Sequence, residues 1–481
     1  MTKRLFIIAI GAVSVLGFLL RFFMSIDPSI WADEGQHVWI VGVNHWYEMR
    51  KVYETTAHDQ PFGLYLALYL WKNIFGWSQV AMRCFSVFFS SISIPVIAGY
   101  AYKLFDKKSI SIVAALLLCF SPVSVRYGYD ITPYAFVQFF AVISTGQFLY
   151  AIKTEKYGFS MQHVLINMCL LNIHYFSYFF VFAQTVVFLF FLYKSNWELI
   201  VNKLIYPCLF YVFASLPMLL LFNPVIAKGN HWWIGLENKN SLAVFSNLIL
   251  YKDVFAWLVL SGVIGLLIRK QYLEKKTKNL VLSYSTIALN GIMLLTVFVA
   301  GIFTWKVSGN ERYYIALLPS IVLLFSFLFM SFEKKHLAYI FCTLVIGLFI
   351  YDAYKNLPRQ NYQDFDSALN FVRKDSFENN ATNEIIFIPE CCRWGIYYYQ
   401  AQKKIAIKSL ALSLVDFINN QSQSESMINK LKAEGYQKIY TLLYYESLKH
   451  KQRVINTMNQ YARLTDEKKF KGVSVLVHSI E

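Results

Sequence analysis

Apolar runs recur along the chain from residue 5 to residue 354, and several approach the roughly 20 residues that a helix needs to cross a hydrocarbon layer. The runs at 5–20, 110–120, 281–303 and 337–350 are examples. No water-soluble core hides so many, so the chain is expected to be a mainly α-helical, polytopic membrane protein. Charge agrees. Only 15% of the 481 residues are Asp, Glu, Lys or Arg, against roughly 25% in an average soluble domain. The first run follows Lys3 and Arg4, as a secretory leader would, but it lacks a clear small-residue cleavage site and continues through Arg21 to Met24. It is expected to remain as the first span.

About eleven spans fit the pattern, near 5–24, 82–102, 110–126, 132–152, 161–174, 176–193, 204–222, 253–269, 281–303, 313–331 and 337–354. This places the N-terminus in the cytosol and the C-terminus outside. The inner segments then hold about sixteen Lys and Arg in about fifty residues, against about eight to ten in about a hundred outside, as the positive-inside rule expects. The net charge of +16 is therefore read as topology and lipid-headgroup anchoring, with no nucleic-acid partner. The count turns on 161–193, where one long helix in place of two short ones would invert everything downstream.

Three regions follow. Residues 1–354 form the membrane region, interrupted by a first extracytoplasmic loop at 25–81, and 355–481 form a polar tail. In the tail, 384–389, 404–410, 438–445 and 472–479 read as strands and 366–373, 424–433 and 447–461 as helices, an expected small extracytoplasmic α/β domain. In the first loop, 30–53 and 62–75 read as helices lying on the outer surface, where Trp31, Trp39 and Trp46 suit the headgroup layer. Five cysteines (Cys84, Cys119, Cys169, Cys208, Cys342) sit in or beside apolar spans, and Cys391 and Cys392 are adjacent. None shows metal-ligand spacing. Neither metal nor cofactor is expected.

Candidate chemistry gathers at the predicted outer ends of the spans. The loop begins Ser29-Ile30-Trp31-Ala32-Asp33-Glu34. If a helix starts near Asp33, then Asp33 and His37 share a face; Asp also suits the cap of such a helix. Asp130 follows Arg126 between the third and fourth spans, with Tyr134 next, and reads either as a site carboxylate or as an interfacial or capping residue. Lys306 and Arg312 lie between the ninth and tenth spans, as phosphate-binding cations or as snorkelling anchors. His58 precedes the second surface helix, and His174 lies at the proposed turn between the fifth and sixth spans. Carboxylates and cations on one side of a membrane are the groups needed to move a sugar off a lipid phosphate. That leaving group, whose second ionisation lies near roughly pKa 6, needs cations rather than a general acid, while the acceptor hydroxyl needs a base.

At Trp31-Ala32-Asp33-Glu34, and at His58-Asp59-Gln60-Pro61-Phe62-Gly63-Leu64-Tyr65 leading into Phe75-Gly76-Trp77-Ser78 and Ala81-Met82-Arg83, the sequence resembles the GT-C glycosyltransferase superfamily. It is most similar to the bacterial family 39 type, related to protein O-mannosyltransferases, the lipid A aminoarabinose transferase and Rgt-like enzymes. The resemblance implies transfer from a polyprenyl-phosphate-sugar donor to an extracytoplasmic lipid, glycan or protein at the bacterial plasma membrane. It implies Asp33 as the acid that activates the acceptor, Glu34 as its neighbour, Asp130 as a second outer carboxylate and Arg312 as the arginine near the lipid phosphate. Lys306 and Arg126 are further phosphate-binding candidates, and His37, His58, Tyr134 and His174 acceptor- or sugar-binding ones. The chain departs from the family in having Pro61-Phe62 for a double proline, and Asp130-Ile131-Thr132-Pro133-Tyr134 where an Arg-x-Tyr pattern is usual. A transporter or flippase for a polyprenyl-linked glycan is the alternative. Transporters, however, favour charged groups near the membrane midplane, whereas these clusters sit at span ends.

Overall fold

The computed structural model describes residues 1–26, 29–56, 60–193, 197–213, 277–304, 311–330, 335–356, 363–378, 383–389, 392–444 and 451–480. The expected span at 253–269, residues 214–222 of the one at 204–222, and His58, Lys306 and Cys391 lie outside the described residues. The first half runs α1 (Lys3–Ile26), α2 (Ala32–Val41), α3 (Trp46–Thr56), α4 (Phe62–Phe75), α5 (Gln79–Phe105), α6 (Lys108–Phe120), α7 (Pro122–Arg126), α8 (Tyr134–Lys153), α9 (Met161–Ile173), α10 (Ser177–Leu192) and α11 (Trp197–Ile200). There follow α12 (Thr277–Thr304), α13 (Leu318–Phe329) after a tight 3-10 turn at Glu311–Leu317, and α14 (Lys335–Asn356). The tail contains α15 (Phe365–Glu378), α16 (Arg393–Lys403), α17 (Leu414–Asn419), α18 (Gln421–Ala433) and α19 (Lys451–Met458). Its five strands are β1 (Glu384–Pro389), β2 (Lys408–Leu412), β3 (Lys438–Tyr444), β4 (Arg463–Phe470) and β5 (Val473–Ser479).

The chain divides into two compact units. One comprises 1–25, 53–76 and 80–358; the other comprises 26–52, 77–79 and 359–481. Residues 26–52 and 77–79, within the expected first loop, thus group with 359–481. Among the described residues, four helices are long and apolar enough to cross a membrane, namely α1, α5, α8 and the stretch Arg312–Phe329. Shorter apolar helices occupy further expected positions, including Lys108–Phe120, Met161–Ile173 and Ser177–Leu192.

In the helical unit, proline and buried polar groups set the breaks and the packing. Pro122 has no N–H to continue α6 and biases Ser121 away from helical backbone. Ser121 accordingly turns out (ψ 122°) and caps α7 by accepting a hydrogen bond from the Ser124 N–H at 3.4 Å. The expected span at 110–126 is therefore two helices. The stretch 161–193 is also two helices, separated at His174–Phe176. Asn167 Nδ2 donates to Gln184 Oε1 across the pair at 3.1 Å. The two residues lie about equally far from the turn, so α9 and α10 run antiparallel. Ser144 of α8 completes this buried network by donating to Asn167 Oδ1 at 2.7 Å and accepting from Gln184 Nε2 at 2.9 Å. Such bonds join helices where no water competes.

Arg21 is the second fastener. It is fully buried in α1, and its guanidinium donates to Ser90 Oγ (2.6 Å), Gly17 O (3.0 Å), Cys119 O (3.2 Å), Leu118 O (3.3 Å) and Ser124 Oγ (2.8 Å). All five N–H groups are thereby used, tying α1 to α5, α6 and α7. A side chain at Gly128 would run into Ser90 Oγ and Arg21 Nε, at 2.6 and 2.8 Å. Glycine is what lets the chain after α7 lie on this fastener.

The tail's sheet has the order β2-β1-β3-β5-β4, parallel among β2, β1 and β3 and antiparallel onward. The inner strands are buried and aliphatic, and their core includes Ile385, Phe387, Ile439, Leu443, Leu476, Ile428, Leu431 and Val454. In the tail, helices α16 and α17 were not expected, and two strands of the sheet differ from expectation. The strand expected at 404–410 begins at Lys408, because Lys404 closes α16 in left-handed conformation (φ 52°). The charged edge strand β4 was not expected.

His478 lies in the inner strand β5, opposite Ile439 and Leu464. It is fully buried, with neither ring nitrogen hydrogen-bonded among the described residues. Burial pushes its imidazole down to about 4, against about 6.5 in an unfolded chain. Between those values the unfolded state binds more protons, so stability present above about pH 6.5 is lost as pH falls toward about 4. The tail's unfolding free energy, followed by proteolysis of the full chain in detergent, is expected to drop over that window by on the order of 2–3 kcal/mol. His478→Leu should flatten the drop.

Candidate functional site

Two groups of sequence-predicted residues are organised, one in each unit. In the tail-containing unit the acidic loop forms the first turn of α2. Trp31 stands at the N-cap in extended conformation (φ −93°, ψ 173°), and its N–H donates to Glu34 Oε2 at 3.3 Å. Glu34, fully buried, thus holds the helix start from the third helical position, the returning half of a capping box. Asp33 is one residue earlier and partly exposed; it is not the cap. Both carboxylates lie where the helix dipole favours negative charge. His37, four residues on from Asp33, is buried on the same side of the helix.

α2 is fixed by α16. Tyr399 Oη accepts hydrogen bonds from the Ile30 N–H (2.7 Å) and Ser29 Oγ (3.0 Å), and donates to Gln79 Oε1 (2.8 Å). Trp39 stacks on Trp394 (6.0 Å between centroids) and meets Tyr397 (5.6 Å). Trp77 Nε1 donates to Val38 O at 2.9 Å, and its own carbonyl accepts from Tyr398 Oη at 3.3 Å. The backbones pass at Gly35 and Gly395, where a Cβ on Gly35 would strike Gly395 Cα and N. Gly35→Ala is therefore expected to push the two helices apart. The overpacking should cost about 1–3 kcal/mol, read as a lower melting midpoint of the purified chain.

In the helical unit, Arg126, Asp130, Tyr134, His174 and Arg312 come from the end of α7, the start of α8, the α9–α10 turn and the 3-10 turn before α13. The Arg312 guanidinium lies over the rings of Tyr134 (5.6 Å) and Tyr313 (5.3 Å), and its Nη2 donates to Tyr313 Oη at 3.4 Å. His174 stacks on Tyr313 (5.7 Å) and packs edge-on to Tyr134 (5.5 Å), while Phe176 stacks on Tyr313 from 4.9 Å. His174 Nδ1 accepts from the Phe176 N–H at 3.3 Å, which places the proton of a neutral ring on Nε2. Arg126 covers Tyr127 (5.4 Å), whose ring meets Tyr134 at 5.2 Å. Asp130 is buried; its carbonyl accepts from Ser86 Oγ and, at 2.8 Å, from the Thr132 N–H. It does not cap α8, whose N-cap is Pro133.

Chemically, this is a guanidinium in an aromatic collar. The ring faces favour the cation, and its planar fork suits a phosphate oxygen pair. Among the described residues no group of three or more His, Cys, Asp or Glu is arranged to hold a metal. The sequence reading did not single out two further buried arginines, Arg21 and Arg83; Arg83 Nη1 donates to Ser25 O at 3.1 Å. A charged side chain inside a long apolar run is a signal that would have found Arg21.

No family model matches the sequence, and no curated protein matches it. Solved structures do match. The apo structure of ArnT from Cupriavidus metallidurans superposes with a TM-score of 0.59 at 10% identity, over 98% of this chain and 97% of that one. The structure of the same protein bound to undecaprenyl phosphate gives 0.57 at 10% identity, over 99% and 98%. The chain therefore has the ArnT fold, a polytopic membrane fold, across essentially its whole length.

Proposed function

We propose that this chain, having that fold, is an inverting glycosyltransferase of the bacterial plasma membrane that takes its sugar from a polyprenyl phosphate. Arg312 in its aromatic collar carries the reading, within a fold whose solved relative is described as bound to undecaprenyl phosphate. The eleven-span topology, with the first loop and residues 355–481 outside the cytosol, belongs to the same proposal.

The roles follow from charge. As the bond between the anomeric carbon and the phosphate oxygen breaks, negative charge grows on the lipid phosphate. A fixed cation such as Arg312, aided by Arg126, stabilises it without needing to donate a proton. The anomeric carbon gains oxocarbenium character. The acceptor hydroxyl attacks from the opposite face while Asp33 takes its proton, so the anomeric configuration inverts. Tyr134 and His174 offer one aromatic face and one N–H to a sugar.

Mass spectrometry of envelope glycolipids and glycoproteins, with and without the protein, tests the function. A sugar lost from one acceptor class, with accumulation of its polyprenyl phosphate donor, is the expected result. Unchanged glycans, or accumulation of lipid-linked glycan on the cytoplasmic leaflet, would instead indicate the transporter alternative.

A further inference from the structure

Around the Arg312 collar, three buried side chains have hydrogen-bonding atoms with no partner among the described residues. They are both amide atoms of Gln138, Oγ1 of Thr132 and Oγ of Ser177. Gln138 is fully buried, and Thr132 and Ser177 are 2% and 1% exposed. Thr132 stands two residues before Tyr134, and Gln138 one turn after it on the same face of α8. Ser177 opens α10 directly after Phe176, the ring stacked on Tyr313. Helical side chains lean toward the N-terminal end of their helix, so Gln138 leans toward Tyr134.

Buried polar groups elsewhere in this unit are of both kinds. Gln60 Oε1, Ser91 Oγ, Thr145 Oγ1 and Gln147 Oε1 also have no partner among the described residues, but of the side-chain amides only Gln138 has both its donor and its acceptor unmet. Ser144, lower on the same helix, is bonded to Asn167 and Gln184, and Asn290 of α12 to Ser320 of α13. Folded proteins leave few buried polar atoms unmet, and each one asks for an explanation. A primary amide offers donors on nitrogen and an acceptor on oxygen, and two neighbouring sugar hydroxyls answer both at once, since each hydroxyl gives and takes. A phosphate, having only acceptors near neutral pH, would satisfy the nitrogen and leave the oxygen stranded.

We infer that Gln138, with Ser177 and Thr132, reads a pair of adjacent hydroxyls on the donor sugar and so sets which sugar is transferred. The inference rests on the glycosyltransferase reading. Sites built to hydrogen-bond a hydroxyl reject analogues lacking it far more strongly than apolar pockets do.

The test is equilibrium binding to the full-length protein in nanodiscs. The probes are undecaprenyl phosphate alone and undecaprenyl phosphate carrying a hexose, a uronic acid or an aminopentose. The wild type is expected to bind at least one sugar-bearing lipid about tenfold or more tighter than the bare one. Gln138→Leu should erase that preference and leave bare undecaprenyl phosphate within about twofold; Ser177→Ala should reduce the preference less. Gln138→Met, similar in size, repeats the measurement if Leu fails to fold. A preserved preference, or equal loss for both classes of lipid, overturns the assignment while leaving the enzyme reading intact. A wild type that binds none of the lipids overturns the enzyme reading and this assignment with it.

Discussion

Asp33→Asn is expected to lower the rate of sugar transfer by on the order of 10²–10⁴-fold, the usual contribution of a positioned base, while membrane insertion and lipid binding persist. Asparagine keeps the shape of the side chain and its place in the first turn of α2, but it cannot take a proton from an acceptor hydroxyl. The helix start should survive, because Glu34 rather than Asp33 bonds the Trp31 N–H. Glu34→Gln is the matching control. It retains an oxygen for that N–H, and its rate should fall much less. Transfer assayed on membranes containing equal amounts of each variant separates the two carboxylates. A wild-type rate in Asp33→Asn would remove that residue from the mechanism.

Arg312→Leu should act on the other half of the reaction. Losing one preorganised donor to a developing anion typically costs about 10²–10³-fold in turnover. Here the same change should also weaken binding of undecaprenyl phosphate, which resembles the product. Arg312→Lys restores the charge but neither the planar fork nor the stacking on Tyr134 and Tyr313, so only partial recovery is expected. Tyr313→Phe removes the hydroxyl that accepts from Nη2 and keeps the ring; its effect should be several-fold at most. Leucine at 312 with unaltered lipid affinity and turnover would reduce the collar to a packing feature.

Much of the helical scaffold was legible because span length and hydropathy are local properties. α1, α5 and α8 lie close to where their apolar runs do. The breaks were less legible. Pro122 and Pro319 were visible in the sequence, yet whether a proline kinks a helix, opens a new one or is absorbed, as Pro95 is within α5, depends on neighbouring groups. In the tail, β4 escaped because an edge strand pairs on one side only and can carry a polar run such as Arg463–Phe470. α16 escaped because its tyrosines and tryptophan serve α2 as well as its own sheet, which blurs a simple amphipathic stripe. For the site, Arg312, Tyr134 and His174 were each visible one at a time. Their meeting around Tyr313, and the amide of Gln138 left without a partner among the described residues, are products of packing between segments far apart in sequence.

The mounting of α2 on α16 also governs how the protein is made. Ser29 and Tyr399, which bond directly, are separated by 370 residues. At roughly 5–20 residues per second the ribosome delivers the second roughly 20–70 seconds after the first. Throughout that interval α2 is without the helix it packs against. If the chain is the transferase proposed above, a chain cut short before α16 is expected to be inactive, and activity is expected only once the segment carrying Tyr399 has been made.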